Sequence, residues 1–294
     1  MSGLPGGVLP PTLEAPYEVA PARRSGRRRI PWTPIIAAIP LVLVVLAAIL
    51  GPWLLPHATS GDIYNAKLPA GTPGHPLGTD AVGRDVLQLT IAGARSSVMG
   101  PVVIALGSMC IGLLLGTVAG FYGGVIDLLL SKYADLLLAL PSTLIALVVA
   151  GLVDGGYWVT VAVLVLLFSP TDIRMVRGAV LAQATRPYIE SARVLGLSDR
   201  RIMFRHIVPN VLNVALTTML LNVAFALVSM SALSFLGLGI SPGQADWGRQ
   251  LNDGRALLPI NPAAAVAPGL LIIITATAIN LLGDWWQERT GVSS

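Results

Sequence analysis

Residues 187–210 read PYIESARVLGLSDRRIMFRHIVPN, from Pro187 to Asn210, and form a charged interruption between apolar runs in a chain otherwise poor in charge. The stretch parses as two short helices around a turn. Pro187 suits the first turn of a helix, where its missing N–H costs little. Ile189, Ala192 and Leu195 then fall close to one face. Gly196 fits the left-handed C′ position that ends a helix. Ser198 is a good N-cap for a second helix, with Asp199 in its first turn. Ile202, Met203, His206 and Ile207 make the second apolar face, and Pro209 closes the segment. Two amphipathic helices can lay their apolar faces in a lipid interface or in a groove on a soluble partner. Periodicity alone leaves both open.

Outside this stretch the chain is apolar. Of its 294 residues 54% are hydrophobic and 12% charged, against about 25% charged in soluble domains. The mean hydropathy is +0.75. This composition predicts one polytopic membrane domain. The net charge of +4 is read as topology-setting charge rather than a nucleic-acid surface, because the arginines sit beside apolar spans without interleaved aromatics. Cys110 is the single cysteine, and His57, His75 and His206 are far apart. No metal site and no nucleic-acid partner is predicted.

Residues 1–33, rich in Pro, Gly and Arg, read as a largely disordered cytoplasmic tail. The transmembrane domain is placed at 34–285, with a short cytoplasmic tail at 286–294. Spans are expected near 35–55, 98–121, 136–153, 157–173, 211–238 and 264–282, the first as an uncleaved helix rather than a signal peptide. Continuous apolar runs exclude a barrel, so the spans are helices and the fold class is an all-α polytopic membrane protein with six transmembrane helices. Arg23, Arg24, Arg27, Arg28 and Arg29 precede the first span, and seven arginines lie in 169–209 against Asp172, Glu190 and Asp199. The positive-inside rule puts both segments in the cytoplasm, and six spans return the C-terminus there. Asp154 falls near the outer surface, and Asp172 and Arg174 near an inner helix end, where they snorkel. Gly112, Gly116 and Gly120 share one helix face that suits close packing, within the chain or between subunits.

The 187–210 stretch resembles the cytoplasmic "EAA" loop of ABC import permeases: Glu-Ala-Ala, three residues, Gly, nine residues, Ile-x-Leu-Pro. Glu190, Ala192, Gly196 and Pro209 match in register. Ser191, His206 and Val208 depart from it, His206 most, as a histidine in an aliphatic slot. Further stretches resemble the C-type subunit of the dipeptide/oligopeptide permease family. They are His75-Pro-Leu-Gly-Thr-Asp80 with Gly83-Arg84-Asp85, then Ser234-Phe-Leu-Gly-Leu-Gly239 with Trp247-Gly248 and Asp253-Gly254-Arg255, and Asn280-Leu-Leu-Gly-Asp284. Together they cover about residues 75 to 285.

The resemblance implies the type I importer permease fold in a prokaryotic cytoplasmic membrane. It implies a second permease subunit, two ATP-binding subunits or domains, and an extracytoplasmic substrate-binding protein. Glu190, Ser191, Ala192, Gly196, His206, Val208 and Pro209 would couple to the ATPases. Asp80, Arg84, Asp85, Trp247, Asp253 and Arg255 are the candidates to meet the binding protein. The cargo implied is di- or oligopeptide, with nickel, glutathione and haem carried by related systems. No catalytic residue and no cofactor is assigned to this chain. A P-loop needs Gly-Lys-Ser/Thr, whereas Lys67 follows Ala66 and Lys132 follows Ser131, so ATP and Mg²⁺ belong to partner subunits. The rival class is an ion-coupled secondary transporter, which often shows internal repeats and mid-membrane ionisable residues. A membrane enzyme is disfavoured for lack of a His-Glu-x-x-His or Gly-x-Ser-x-Gly motif.

Overall fold

The computed structural model describes residues 32–153, 156–241 and 243–290. The predicted tail before Trp32, Asp154 and the last four residues lie outside them. Among the described residues five helices are long and apolar enough to cross a bilayer, and a bent helix pair brings the count to six if the pair is one span. They are α1 (Trp32–Leu54), α2 (Val86–Tyr122), the pair α3 (Gly124–Leu138) and α4 (Ser142–Leu152), α5 (Gly156–Ala184), α8 (Val208–Phe235) and α10 (Ala263–Thr290). Between them lie the short helices α6 (Pro187–Val194), α7 (Asp199–Ile202) and α9 (Trp247–Gly254). Among the described residues there is no strand, only two isolated β-bridges in the 55–85 loop. The protein is a multi-pass membrane protein, and the exposed leucines, isoleucines and valines along its long helices form the apolar surface that a spanning helix turns to lipid.

Four features depart from the expected spans, each for a physical reason. α2 begins at Val86, twelve residues before Val98, capped by the Asp85 carboxylate, which accepts from Gln88 N at 2.9 Å. Its polar first turns read as loop, yet Thr90 and Ser97 are buried and bonded to Gln250 and Asp246, far along the chain. The expected third span, 136–153, is instead a pair bent by 82°. Pro141 sits at the break, where it supplies no donor to continue α3. α4 alone, at 11 residues, is about 17 Å long and too short to cross.

α5 runs on past Ile173 to Ala184 because its charged residues find partners. Asp172 does not snorkel: it is 3% exposed and accepts from Asn222 Nδ2 of α8 at 2.9 Å. Arg174 pairs with Asp135 and Arg177 with Asp127, both on α3. Finally, Pro209 does not close the 187–210 segment. α7 passes through a π turn, Met203–Ile207, straight into α8. A proline clashes with the carbonyl four residues back. The wider turn, with Val208 N donating to Met203 O, accommodates it.

The core has an axis and two ends. α2 and α5 pack along the glycine face, with Gly112 against Asp172, Gly116 against Ile173 and Val176, and Gly120 against Arg177 and Val180. The stripe is therefore used within the chain. Ile104, Leu164, Ala226 and Met230 join α2, α5 and α8. At one end, Val176, Val180, Ile189, Ala192, Ile202, Ile207 and Val211 weld the 187–210 segment to α5 and α8. At the other, Trp247 packs with Val44 and Ala94.

Candidate functional site

The segment after α5 is a rigid projection. Ile189 is fully buried and Ala192 nearly so, both against α5 and α8. Gly196 has φ +75°. Its N–H donates to Arg193 O at 2.9 Å and that of Leu197 to Ala192 O at 3.1 Å, which is a Schellman turn. Leu197, not Leu195, returns to the core; Leu195 was expected on the packed face, but the reversal at Gly196 turns it outward. Asn210 ties the far side by donating to His206 O at 2.6 Å and to the Tyr188 hydroxyl at 3.3 Å. Ser198 makes no side-chain cap bond.

What this projection presents is mixed. Val194 and Leu195 are 84% and 79% exposed, just before exposed Gly196. Glu190, Ser191, Arg193, Arg200, Arg201 and Arg205 surround them, also exposed. Ser191 Oγ donates back to Pro187 O at 3.0 Å. The Arg193 guanidinium lies over the Phe121 ring at 5.5 Å, joining the projection to the end of α2. Ala192 is internal support. His206 and Val208 are half-buried and Pro209 is exposed. The His206 ring makes no hydrogen bond or ion pair with the described residues.

At the opposite end, the residues that resembled a binding-protein surface are mostly used inside the fold. Asp80 and Arg84 are buried together, with Arg84 Nε donating to Asp80 Oδ2 at 2.6 Å. Asp80 Oδ1 also accepts from the Val82 and Arg84 amides, at 3.0 and 2.9 Å. Arg84 reaches Asp253 at 3.6 Å, and Arg249 reaches the same carboxylate at 3.3 Å. Asp85 is N-cap of α2 and pairs with His75 Nδ1 at 2.7 Å. Charges removed from water must be paired: Arg84, held by Asp80, ties the loop to α9 through Asp253, and Asp85 with His75 ties it to the start of α2. Of the six candidates, Asp253 is partly exposed and Arg255 exposed, its guanidinium 5.9 Å from the Phe235 ring.

Trp247, 0% exposed, is the anchor of this end. Its Nε1 donates to Thr90 O at 2.8 Å, and its backbone N to Ser97 Oγ at 3.0 Å. Neighbouring Asp246 caps α9 and accepts from Ser97 Oγ at 3.0 Å. Burial pushes its carboxyl above the usual carboxylate range, against the hydrogen bonds from the Arg249 amide and Ser97. Gln250 donates to Leu89 O at 2.8 Å and accepts from Thr90 Oγ1 at 2.9 Å. The importance of Ser97, Asp246, Gln250 and Asn261, which donates to Leu77 O at 2.9 Å, escaped the sequence reading. Trp247→Phe takes the indole donor from the Thr90 carbonyl and leaves a small cavity where the second ring was. A destabilisation of roughly 1–2 kcal/mol is expected, read as a lower thermal midpoint of the detergent-purified protein.

Comparison with known proteins identifies the family. Residues 112–290 match the family described as "Binding-protein-dependent transport system inner membrane component". The chain is 34% identical over 256 residues to the glutathione transport system permease protein GsiD of Pectobacterium atrosepticum, covering 86% of this chain and 85% of that protein. It is 32% identical over 260 residues to the dipeptide transport system permease protein DppC of Haemophilus influenzae, covering 86% and 88%. GsiD of Escherichia coli is 36% identical over 268 residues, covering 90% and 87%. With the helical membrane fold and the projecting 187–210 segment in place, these similarities mean that the chain belongs to the binding-protein-dependent transport system inner membrane component family, as a permease subunit of an ABC importer.

Proposed function

We propose that the chain forms half of a membrane pathway for short peptides, driven from the cytoplasm by two ATP-binding subunits or domains. A second permease subunit supplies the other half, and an extracytoplasmic binding protein delivers the cargo. The observation that carries this reading is the projection at Gly196. Val194 and Leu195 stand exposed on a charged tip whose base is locked to α5 and α8. Apolar side chains held out in this way favour a partner groove. A push on the tip is passed to α5 and α8 through Ile189, Ala192, Ile202 and Ile207, which move with it as one packed unit.

Charge asymmetry supports the topology. The arginine-rich 187–210 segment faces the cytoplasm, as do both chain ends after six crossings. The external platform then carries Asp253 and Arg255 toward the binding protein. Its buried pairs, Asp80 with Arg84 and His75 with Asp85, keep the surface in shape. This chain performs no catalysis; ATP and Mg²⁺ act on the partner subunits. Peptide cargo is favoured because dipeptide and glutathione, the substrates named for the relatives, are both small peptides.

Reconstitution tests the reading. The permease pair, ATPases and binding protein are placed in liposomes with a radiolabelled dipeptide, and glutathione is added as a competitor. Uptake is expected only with internal ATP and binding protein. Uptake driven by an ion gradient without ATP would overturn it in favour of a secondary transporter.

A further inference from the structure

α1 and α2 run antiparallel and touch where Gly51 lies against the backbone of Ile91 and Ala92. Beside that contact they part into a groove of about 520 Å³, lined by Val45, Ile49 and Trp53 of α1 and by Arg95, Val98 and Val102 of α2. The size is within the roughly 300–1,000 Å³ of small-molecule sites. Arg95 is its one charge, and it is exposed. The other arginines on the crossing helices α2 and α5 differ: Arg174 and Arg177 each hold an aspartate. Arg95 makes no ion pair or hydrogen bond with the described residues.

Depth defines what can answer that charge. Pairing Gly51 with Ile91 puts Arg95 level with Ala47 and Ala48, about 10 Å inside the end of α1 at Leu54. A long helical side chain leans toward the N-terminus of its helix, which for α2 is the end near Trp53. Snorkelling therefore carries the guanidinium from hydrocarbon toward the headgroup layer. Trp53, 83% exposed at the same end of α1, is the kind of aromatic that marks that layer. A guanidinium matches a phosphate in geometry and charge, and the rest of the groove is apolar.

We propose that the α1–α2 groove binds a phospholipid, with Arg95 on its phosphate and one acyl chain along Val45, Ile49, Val98 and Val102. On the topology proposed above, the lipid comes from the outer leaflet. A packed protein helix would answer the apolar wall, but would also have to bring an acid to Arg95, which every phospholipid carries already. The groove is built by the first two crossings, away from the segment welded to the ATPase side.

The test uses the assembled transporter, purified in mild detergent and titrated with phosphatidylglycerol under native mass spectrometry. The wild type retains a phosphatidylglycerol that Arg95→Gln holds at least about tenfold more weakly, the loss of a charge-assisted contact. Arg95→Lys, which keeps the charge, restores most of the retention. Val98→Trp, which fills the groove without touching the charge, lowers it. Equal retention by all four proteins overturns the proposal. So does cross-linking of Ile49→Cys, in a Cys110→Ser background, to the second permease subunit, since a protein then occupies the groove. ATP-driven uptake is measured on the same preparations. A wild type that binds lipid but takes up no peptide counts against the peptide reading and leaves the lipid site standing.

Discussion

Gly196→Asp is expected to reduce ATP-coupled uptake to background while the subunit stays in the membrane at wild-type levels. Gly196 has φ +75°, and a Cβ built there meets nothing within 4 Å. The new side chain therefore fits the isolated subunit. Its folding cost is only the left-handed backbone, about 1–2 kcal/mol for an ordinary residue and less for aspartate, which adopts that region more readily. What it does change is the surface between Val194, Leu195 and the surrounding arginines, where a carboxylate would be buried by any docked partner. Loss of transport without loss of the protein separates docking from folding. Co-purification of the ATPases should fall in parallel, and Gly196→Asn, which tolerates the same backbone without a charge, should retain more uptake. Normal uptake by Gly196→Asp would remove the coupling role from this turn.

The same turn shows how much was legible beforehand. Gly196 could be read because its signal is local: a helix-length apolar face, then a residue free to take positive φ. Leu195 was misplaced because periodicity assumes the helix continues, whereas the reversal turns Leu195 out and Leu197 in. The continuous apolar runs around α1, α8 and α10 were legible from hydropathy alone. The start of α2 was not. Thr90 and Ser97 make it look like a loop, and the partners that satisfy them, Gln250 and Asp246, lie about 150 residues further on. Long-range pairing also hid the state of Asp172, whose Asn222 sits on another helix. The motif residues around Asp80 and Trp247 were found by resemblance, but their burial was not, because charge ordinarily marks a surface. Only the contacts of Asp80 with Arg84 and Asp85 with His75 reveal them as a frame. The 82° break between α3 and α4 had one visible sign, Pro141, whose effect depends on whether neighbouring helices accept a bent span.

Gly116→Leu is expected to fail earlier, at folding. A Cβ on Gly116 would lie 2.7 Å from Ile173 O, 2.9 Å from Val176 Cβ and 3.1 Å from Arg177 N. Two of those are backbone atoms of α5, so no side-chain rotation makes room and the two helices must separate. Without a hydrophobic drive between helices in lipid, close packing of this kind is a main source of their association. Overpacking of a tight core costs typically 1–3 kcal/mol, and leucine here places three further carbons beyond an already impossible Cβ, so about 3 kcal/mol or more is expected. The damage spreads along the seam: parting α5 from α2 also strains the Asp172–Asn222 bond and loosens the base of the 187–210 projection, which rests on Val176 and Val180. The measurable outcome is little monodisperse protein after detergent extraction, in contrast to Gly196→Asp. Gly178→Leu is the control, on exposed α5 surface with nothing within 4 Å of its Cβ, and should be recovered like the wild type. Wild-type yield and thermal midpoint for Gly116→Leu would mean that α2 and α5 do not meet along the glycine face, and the path from the 187–210 projection to the membrane helices would have to run elsewhere.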